Sequence, residues 1–400
     1  MIRATRDFVI VGAGPAGAAL ALLLARAGRS VALVDAAHFP RQKVCGEYLS
    51  PIGRRMLIDL GLGRLFDTAP SPTCLELTVP GGRRFQWHPS HPELRDAAAV
   101  SRWKLDAALV DAASAAGAEM FLGRRVRGVQ QAGGRASGVL AVAVDDADDV
   151  LDISADVVIG ADGRRSQVVR ETGSTVGHLA GLVGFKHHAT VDDMRSFEGR
   201  LTLHALPGGY VGACPIDGNT MNLCGVIPQS RLQASHGNIA AALRCWVPHT
   251  APLRPLLDDS TTNGDGGNSN GENGRWSTMP DVHRQRSRPS VDGVLYIGDA
   301  MGTIEPLTGQ GMTMAFASAH LAAQHLLRDP SRGMNRDAQR AYESAWDKQF
   351  GRAIRASDWF GKLLRHPKLL NAAIASSTVF RPIADFLIDL FHRRTMPGIR

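Results

Sequence analysis

The residues best suited to chemistry begin at position 12, where the chain reads Gly-Ala-Gly-Pro-Ala-Gly and matches the pattern G-x-G-x-x-G. Glycines at this spacing permit a tight turn, a close approach of the backbone to a diphosphate, and close packing of a helix on a strand. A helix that starts here also directs its free N–H groups toward the phosphates. The residues that we predict to contact this diphosphate are Gly12, Gly14, Pro15, Ala16 and Gly17.

An acidic residue at the end of the next apolar run supports the interpretation of the glycine motif as a dinucleotide site. Asp35 stands at the spacing where a carboxylate accepts hydrogen bonds from a ribose 2′-hydroxyl. A carboxylate there also repels a 2′-phosphate. The sequence therefore predicts an adenine dinucleotide without that phosphate, such as FAD or NAD.

The segments around these residues predict the elements that position them. Residues 6–11 form an apolar run typical of a buried strand, residues 16–27 an Ala/Leu-rich helix that Gly28 ends, and residues 30–34 a second buried strand. This order predicts a strand–helix–strand unit with a parallel sheet.

Three further segments resemble the superfamily of flavoprotein hydroxylases (monooxygenases) and geranylgeranyl reductases, which shares the fold of para-hydroxybenzoate hydroxylase. They are Gly-Ala-Asp-Gly-Arg-Arg-Ser at 160–166, the run from Gly298 to Met312, and Arg102 in Val-Ser-Arg-Trp-Lys-Leu-Asp. The resemblance covers residues 7–327 and implies one non-covalently held FAD.

The resemblance also implies roles for single residues. Asp299 is expected to accept a hydrogen bond from the ribityl chain, and Gly309–Met312 to start a helix directed at the flavin. Arg102 is expected to offer a fixed cation to the phosphates. The cofactor contacts implied in this way are Arg41, Cys45, Gly46, Arg102, Val126, Asp162, Gly163, Gly298, Asp299, Pro306, Gly309, Gln310, Gly311 and Met312.

Three residues are candidates for catalysis: Cys45, His187 and Tyr210. The loop that carries Cys45 is similar to one that passes beside the flavin in the geranylgeranyl-reductase branch, although a lone cysteine is as often a small buried hydrophobe. His187 lies in a predicted strand that alternates Phe-Lys-His-His, so one of the two faces of this strand is expected to cover the flavin. The alternative for His187 is a histidine that faces solvent or is satisfied within the protein, which is the commoner case. Tyr210 either contacts substrate or fills space in a sheet.

The predicted fold class is α/β, or α+β overall, with three parts. A discontinuous Rossmann-like FAD-binding domain comprises 1–75, 98–175 and 280–330. An inserted antiparallel β-sheet substrate domain comprises 76–97 and 176–279, and C-terminal helices occupy 331–400. The low-complexity stretch 258–274 is interpreted as a mobile surface loop.

The leading hypothesis for function is an NAD(P)H-dependent FAD monooxygenase that acts on an apolar aromatic or polyketide-like metabolite. No second G-x-G-x-x-G exists, so NAD(P)H is expected to visit the flavin transiently. Met301 and Thr313 replace a histidine and an asparagine usual in aromatic hydroxylases, which favours the reductase-like branch. A reductase of isoprenoid-like C=C bonds is therefore the first alternative, and a non-catalytic escort protein the second.

Composition excludes several other classes of protein. The five cysteines are odd in number and lack a C-x-x-C pair, which argues against a disulfide scaffold and a structural zinc, and no other metal is predicted. The net charge of +7 comes without a nucleic-acid motif, so no DNA or RNA partner is predicted. A cytoplasmic location is expected, and the apolar C-terminal segments with basic flanks predict either core helices or a peripheral membrane contact.

Overall fold

The computed structural model describes residues 2–79, 83–88, 95–173, 181–248, 253–258, 276–282, 286–328, 334–366 and 370–371. The strands are β1 (Ile2–Val11), β2 (Val31–Asp35), β3 (Tyr48–Leu49), β4 (Cys74–Thr78), β5 (Arg84–Trp87), β6 (Ala98–Ala99), β7 (Glu119–Leu122), β8 (Arg124–Ala132), β9 (Arg135–Ala143), β10 (Val150–Gly160), β11 (Leu182–Thr190), β12 (Arg200–Leu206), β13 (Gly209–Asp217), β14 (Thr220–Pro228), β15 (Ser277–Pro280) and β16 (Val294–Tyr296). The helices are α1 (Pro15–Arg26), α2 (Pro51–Asp59), α3 (Arg102–Ala115), α4 (Gln167–Thr172), α5 (Gln229–Ala234), α6 (Ile239–Trp246), α7 (Arg254–Asp258), α8 (Gly311–Arg328) and α9 (Arg336–Leu364).

The first sheet is built around the predicted strand–helix–strand unit. Its strands run β7-β2-β1-β10-β9-β8, and β16 adds to the second half of β10. The strands β7, β2, β1, β10 and β16 are parallel, whereas β9 and β8 form an antiparallel hairpin. The carboxyl ends of the parallel strands therefore meet at one edge, which is where ligands bind in open α/β sheets.

Two apolar helices pack together on this sheet and form its core. Helix α1 buries nearly all of its Ala and Leu side chains, and helix α8 buries eleven of its residues. Because a helix buried on most of its surface needs apolar residues all round, the sequence shows little amphipathic contrast here. Both helices begin at the carboxyl edge of the strands, so both N-termini point to the same place.

The second sheet has seven strands among the described residues, in the order β15-β11-β14-β13-β12-β4-β5. The sequence predicts an antiparallel sheet here, and most of the pairs are antiparallel. The exception is β4, which pairs with β12 in parallel, from Arg200↔Cys74 to His204↔Thr78. Strands joined by a short hairpin must be antiparallel. Strands β4 and β12 are far apart in the chain, so they can pair in parallel.

The second sheet has one face toward the first domain and one face covered by short helices. Helices α5, α6 and α7 and Trp276 pack on the outer face around Phe185, Leu223 and Leu243. Because side chains alternate along a strand, the residues between these core positions face inward.

Three details differ from the sequence-based expectation or lie beyond the described residues. The alanine-rich sequence predicts a helix at 105–117, but α3 begins three residues earlier, at Arg102, because Ser101 caps it by accepting the Lys104 N–H at 3.4 Å. All but the first residue of the predicted loop 258–274 lies outside the described residues, and so do 367–369 and 372–400. No helix in the described part of the chain has the length and apolar character needed to cross a membrane.

Candidate functional site

A cavity of about 1230 Å³ lies between the carboxyl edge of the first sheet and the inner face of the second. Pockets for a single drug-sized ligand are usually about 300–1,000 Å³, so this one has room for a large ligand or for two. The glycine motif, Asp35 and the start of α8 line one part of it. Strands β12, β13 and β14 line another part.

The three glycines of the first turn are required for different reasons. Gly12 has a φ of +105°, and a Cβ there would lie 2.5 Å from the Ala161 carbonyl oxygen. A Cβ at Gly17 would collide with the Gly12 carbonyl oxygen. A Cβ at Gly14 would meet nothing nearer than an Arg41 nitrogen at 3.7 Å, so protein packing does not explain that glycine. Gly14 lines the cavity, as expected if a diphosphate approaches this backbone closely.

Asp35 is fixed by the turn that it faces. Its two carboxylate oxygens accept the N–H groups of Ala13, at 2.7 Å, and Ala37, at 2.8 Å. Each oxygen keeps a further lone pair that can accept a hydroxyl hydrogen. The carboxylate is therefore held at the cavity wall with capacity left for a ribose.

Asp162 is predicted to lie near the pyrophosphate, and in the structure it also holds a helix start. Its Oδ2 accepts the Gln167 N–H at 2.6 Å and the Val168 N–H at 3.3 Å, at the first turn of α4. Burial raises the pKa of this carboxyl, and the hydrogen bonds from Ser166 and from these N–H groups act against that rise. Gly163 next to it, at a φ of +78°, has open space where a Cβ would stand.

A group of cations lines the cavity beside the turn. Arg102 donates from two nitrogens to the Asp106 carboxylate at 2.7 Å each, and Arg41 lies 3.1 Å from the same carboxylate. Burial lowers the pKa of Lys43, and repulsion from Arg41 and Arg102 lowers it further. Asp106 and Asp35 are the carboxylates that act against these three cations. A positive charge remains, which suits a diphosphate.

The start of α8 faces the cavity, as the sequence predicts. Gly309 has a φ of +64°, and a Cβ there would lie 2.8 Å from the Tyr48 ring, so only glycine fits. Asp299 lines the same region and accepts a hydrogen bond from Arg164 Nε at 3.2 Å. Pro306 and Gln310 line the cavity here, and Gly298 directly precedes Asp299; Val126 lines the cavity from β8.

A buried ionic network joins the loop of Cys45 to the second sheet. Its central residue, Glu47, is not among the residues predicted from the sequence. The Glu47 carboxylate is fully buried and accepts hydrogen bonds from Lys186 Nζ, from the Arg102 backbone N–H at 2.7 Å, and from His188 Nε2 at 2.7 Å. Lys186 also donates to Gln42 at 2.8 Å. Burial would raise the pKa of Glu47, but the hydrogen bonds and charges of His188 and Lys186 outweigh it and lower the pKa.

This network determines where Cys45 lies. The Cys45 thiol lines the cavity and accepts the Glu47 backbone N–H at 3.3 Å, and the Arg102 guanidinium also interacts with its sulfur. The Asn222 side chain donates to the Cys45 carbonyl at 3.0 Å. The loop is thus held to strand β14 as well as to β11.

Two more thiols face the cavity from the second sheet. Cys214 and Cys224 line it from β13 and β14, and both are reduced. Burial raises the pKa of Cys224 to about 12, with the neighbouring Cys45 and Glu47 adding to the rise, so this thiol stays protonated at neutral pH. Both therefore act as small apolar groups in the wall.

The two other catalytic candidates lie in different places. Tyr210 lines the cavity, and burial raises the pKa of its phenol well above the ordinary value, with the charge of Glu305 raising it further. His187 does not belong to the described cavity lining; its ring stacks on Trp276, with centroids 4.4 Å apart, on the outer face of the sheet. The other face of β11, which carries Lys186 and His188, turns toward the loop of Cys45.

The C-terminal helix supports the same wall from outside. Arg365, at the end of α9, donates to the buried Glu305 carboxylate at 2.9 Å, and a Cβ on Gly361 would lie 2.5 Å from it. Glu305 directly precedes the turn Pro306–Gly309 at the start of α8. Phe360 packs with Tyr210 and Leu77 in a small apolar cluster.

Taken together, the residues present fit FAD. A glycine with free space above it, a carboxylate for a ribose, a cation cluster and a helix start follow one another along an elongated cavity. Lys43, Glu47 and Lys186 are the residues that the sequence analysis missed. The signal in the sequence is Lys186 itself, because a lysine in the middle of a predicted strand needs a partner if that face is buried.

Comparisons with known proteins agree with this geometry. A family model described as "FAD binding domain" matches residues 5–337. A menaquinone reductase of Mycolicibacterium smegmatis is 31% identical over 387 residues, covering 91% of this chain and 86% of that protein. A digeranylgeranylglycerophospholipid reductase of Methanothrix thermoacetophila is 27% identical over 366 residues, covering 87% and 84%. The flavin-dependent brominase Bmp2 has a similar fold, with a TM-score of 0.78, 21% identity and coverage of 98% of this chain and 94% of that one.

Proposed function

The chain belongs to the FAD-binding-domain family of flavoprotein oxidoreductases, and we propose that it is a reductase that saturates a C=C bond in an apolar, isoprenoid-like lipid. One observation carries the proposal. Cys45 lines a cavity whose walls include both the residues that we assign to FAD and apolar side chains of the second sheet. Such a wall suits a substrate with a long hydrocarbon part.

The apolar wall consists of side chains that alternate along neighbouring strands. It includes Leu75 on β4, Leu203 on β12, Tyr210 on β13 and Val226 on β14. These side chains can orient a hydrocarbon chain and exclude water, but they offer it no charge. The names of the two relatives, a menaquinone reductase and a digeranylgeranylglycerophospholipid reductase, support a lipid of this kind.

Saturating a C=C bond requires a hydride at one carbon and a proton at its neighbour. Bound FAD, once reduced, supplies the hydride. We assign the proton to the Cys45 S–H, whose bond breaks as the new C–H bond forms. The Glu47 N–H and the Arg102 guanidinium then stabilise the thiolate, which water reprotonates. Lys186 and His188 keep the loop in place through Glu47.

A monooxygenase remains the second candidate, because a cavity with an apolar wall also suits a reaction in which reduced flavin meets O₂ away from water. In both cases NAD(P)H is the proposed electron donor and visits the cofactor transiently. The two candidates differ in one measurable property: only the monooxygenase needs oxygen for product to form.

The test uses FAD-loaded protein that is reduced with dithionite under strict anaerobiosis and mixed with menaquinone carrying an unsaturated side chain. We expect product that is two hydrogen atoms heavier, measured by mass spectrometry after the sample is exposed to air. Air returns a reduced quinone ring to the quinone but leaves a saturated side chain unchanged. Parallel reactions use digeranylgeranylglycerophospholipid. Product that forms only after oxygen enters, and that contains an oxygen atom, would favour the monooxygenase and reject the reductase.

The proton donor is tested with matched cysteine variants. Cys45→Ala should lower the rate of side-chain saturation about 10²–10⁴-fold, the usual contribution of general acid catalysis, while flavin reduction stays unchanged. Cys245→Ala is the control, because Cys245 is exposed on α6 outside the described cavity lining. Equal rates for the two variants would remove Cys45 from the mechanism.

A further inference from the structure

One face of helix α9 carries a row of exposed cations around a tryptophan. Lys348, Arg352, Arg355, Trp359 and Lys362 follow each other at alternating spacings of four and three residues, and all five side chains are exposed. Residues at this spacing lie on one side of a helix. We call this row the basic face; at 1.5 Å per residue it is about 21 Å long.

The basic face has no acidic partners within the described part of the chain. None of its four cations forms an ion pair with a described carboxylate, although arginines elsewhere do so, such as Arg286 with Asp347 at 2.9 Å. Trp359 is 55% exposed. The row thus combines four exposed cations with one exposed aromatic ring.

The opposite side of α9 is buried, which keeps the basic face turned outward. Tyr342, Trp346 and Phe350 are fully buried against the first domain, and the Tyr342 hydroxyl donates to the Tyr296 carbonyl at 3.1 Å. At the other end of the helix, Gly361 contacts the Glu305 side chain. The helix therefore cannot turn the basic face inward, and its last two turns lie directly behind the cavity wall.

We propose that the basic face docks the protein on the surface of an anionic phospholipid membrane. Cations beside a tryptophan are the combination that holds a helix at a membrane interface, where the ring sits among the headgroups and the cations meet phosphate charge. A second copy of the chain is a poor occupant, because a two-fold contact would set this row of cations against itself. The docking is peripheral.

The position of this face brings the membrane close to the substrate end of the cavity. Phe360 lies on the inner side of the same helical turns and packs with Tyr210 and Leu77 at the apolar wall. A lipid that leaves the bilayer beside α9 would thus have one helix diameter to cross, about 10 Å. This consequence rests on the proposed function, whereas the docking itself does not.

The test measures binding of the full-length, FAD-loaded protein to sedimented vesicles, without turnover. Vesicles of phosphatidylglycerol and phosphatidylcholine are compared with vesicles of phosphatidylcholine alone. We expect binding to the anionic vesicles that weakens as salt rises, because screening weakens attraction between exposed charges. A cation near an anionic surface strengthens binding about fivefold. Combining Arg352→Gln, Arg355→Gln and Lys362→Gln should therefore weaken binding about a hundredfold.

The control variant removes the same charge elsewhere. Arg3, Arg55 and Arg195 have side chains that are 79%, 70% and 88% exposed, and all three become Gln. This variant should bind like the wild type. Trp359→Phe should abolish a blue shift in tryptophan emission that the wild type shows on anionic vesicles. Circular dichroism and flavin content establish that each variant is folded.

Three outcomes would overturn the proposal. Equal weakening by the control variant would mean that the net charge of +7, and not the basic face, drives binding. Equal binding to both kinds of vesicle, or no binding, would remove the anionic surface as the partner. A dimer that the basic-face variant alone disrupts, detected by analytical ultracentrifugation, would assign the face to self-association. Lipid reduction is measured separately, in the anaerobic assay described above, so a protein that binds these vesicles but reduces no lipid there would refute the proposed function and leave the docking intact.

Discussion

The Glu47 network offers the sharpest test of the site geometry, because one carboxylate accepts hydrogen bonds from Lys186, from His188 and from the start of α3. Glu47→Gln keeps the size of the side chain and an oxygen that can still accept the Arg102 N–H, but it removes the negative charge. The Glu47 side chain is 0% exposed and that of Lys186 is 4% exposed, so the lysine loses its counter-charge out of reach of water.

The expected loss follows from that burial. Removing one member of a buried ion pair typically costs about 3–5 kcal/mol, since the remaining charge stays buried and unpaired. We expect Glu47→Gln to lower the free energy of unfolding by about 3 kcal/mol, because the Lys186 charge stays buried without its counter-charge. Adding Lys186→Met removes the stranded charge. The double variant should therefore be more stable than the sum of the two single losses predicts, by about 1–3 kcal/mol.

The lowered pKa of Glu47 also makes the free energy of unfolding depend on pH, and it determines the sign of that dependence. The pKa of Glu47 is lowered in the folded protein from an ordinary value of 4.5. Its stabilising contribution is thus fully present above pH 4.5 and is lost as the pH falls through the lower, folded pKa. The wild type should lose this stability in acid, and Glu47→Gln should lack that part of the loss.

The measurement is urea unfolding of FAD-saturated protein, followed by near-ultraviolet circular dichroism. Glu119→Gln is the matched control, because Glu119 pairs with Arg6 on the surface and its side chain is 44% exposed. Exposed pairs contribute little, so this change should have almost no effect. The reasoning fails if the two glutamine variants are equally stable, or if the losses in the Glu47–Lys186 cycle are simply additive.

Three further predictions concern other parts of the molecule. Gly14→Ala should leave the unfolding temperature unchanged but weaken FAD binding in a fluorescence titration, whereas Gly17→Ala should destabilise the fold; equal effects would contradict the assignment of Gly14. Burial lowers the pKa of His204 from 6.5 to about 4, so stability should fall by about 1.4 kcal/mol per pH unit between pH 6.5 and 4, and His204→Leu should remove this slope. Asp299→Ala should weaken FAD retention about tenfold or more in equilibrium dialysis, since a hydrogen bond to a charged group contributes about 1.5–3 kcal/mol; unchanged retention would refute the role assigned to Asp299.

Local signals explain how much of the site could be predicted from the sequence. The turn at Gly12–Gly17, Asp35 and the start of α8 all depend on residues near each other in the chain, and the structure has a strand, a turn or a helix start where they predict one. The helix of Arg102 starts before the alanine-rich segment 105–117, because its N-terminus is set by the Ser101 cap and not by composition.

The remaining features depend on contacts that the sequence does not encode locally. Glu47 meets Lys186 and His188 across 139 and 141 residues, so nothing near Glu47 indicates its partners. Alternation in β11 identified two faces but not which one turns to the cavity. That choice follows from the packing of Phe185 and Trp276 on the outer side, which left His187 there. The parallel pairing of β4 with β12 is a long-range feature of the same kind.

The meeting of three distant chain segments at Glu47 also has a consequence for how the protein assembles. The nucleotide-binding half is not expected to fold fully on its own. Without β11, the Glu47 carboxylate would be buried without Lys186 and His188, which is unfavourable. Contacts this remote in sequence form slowly. The two halves are thus one cooperative unit, and a fragment ending before β11 would expose the loop of Cys45 to proteases instead of behaving as an autonomous domain.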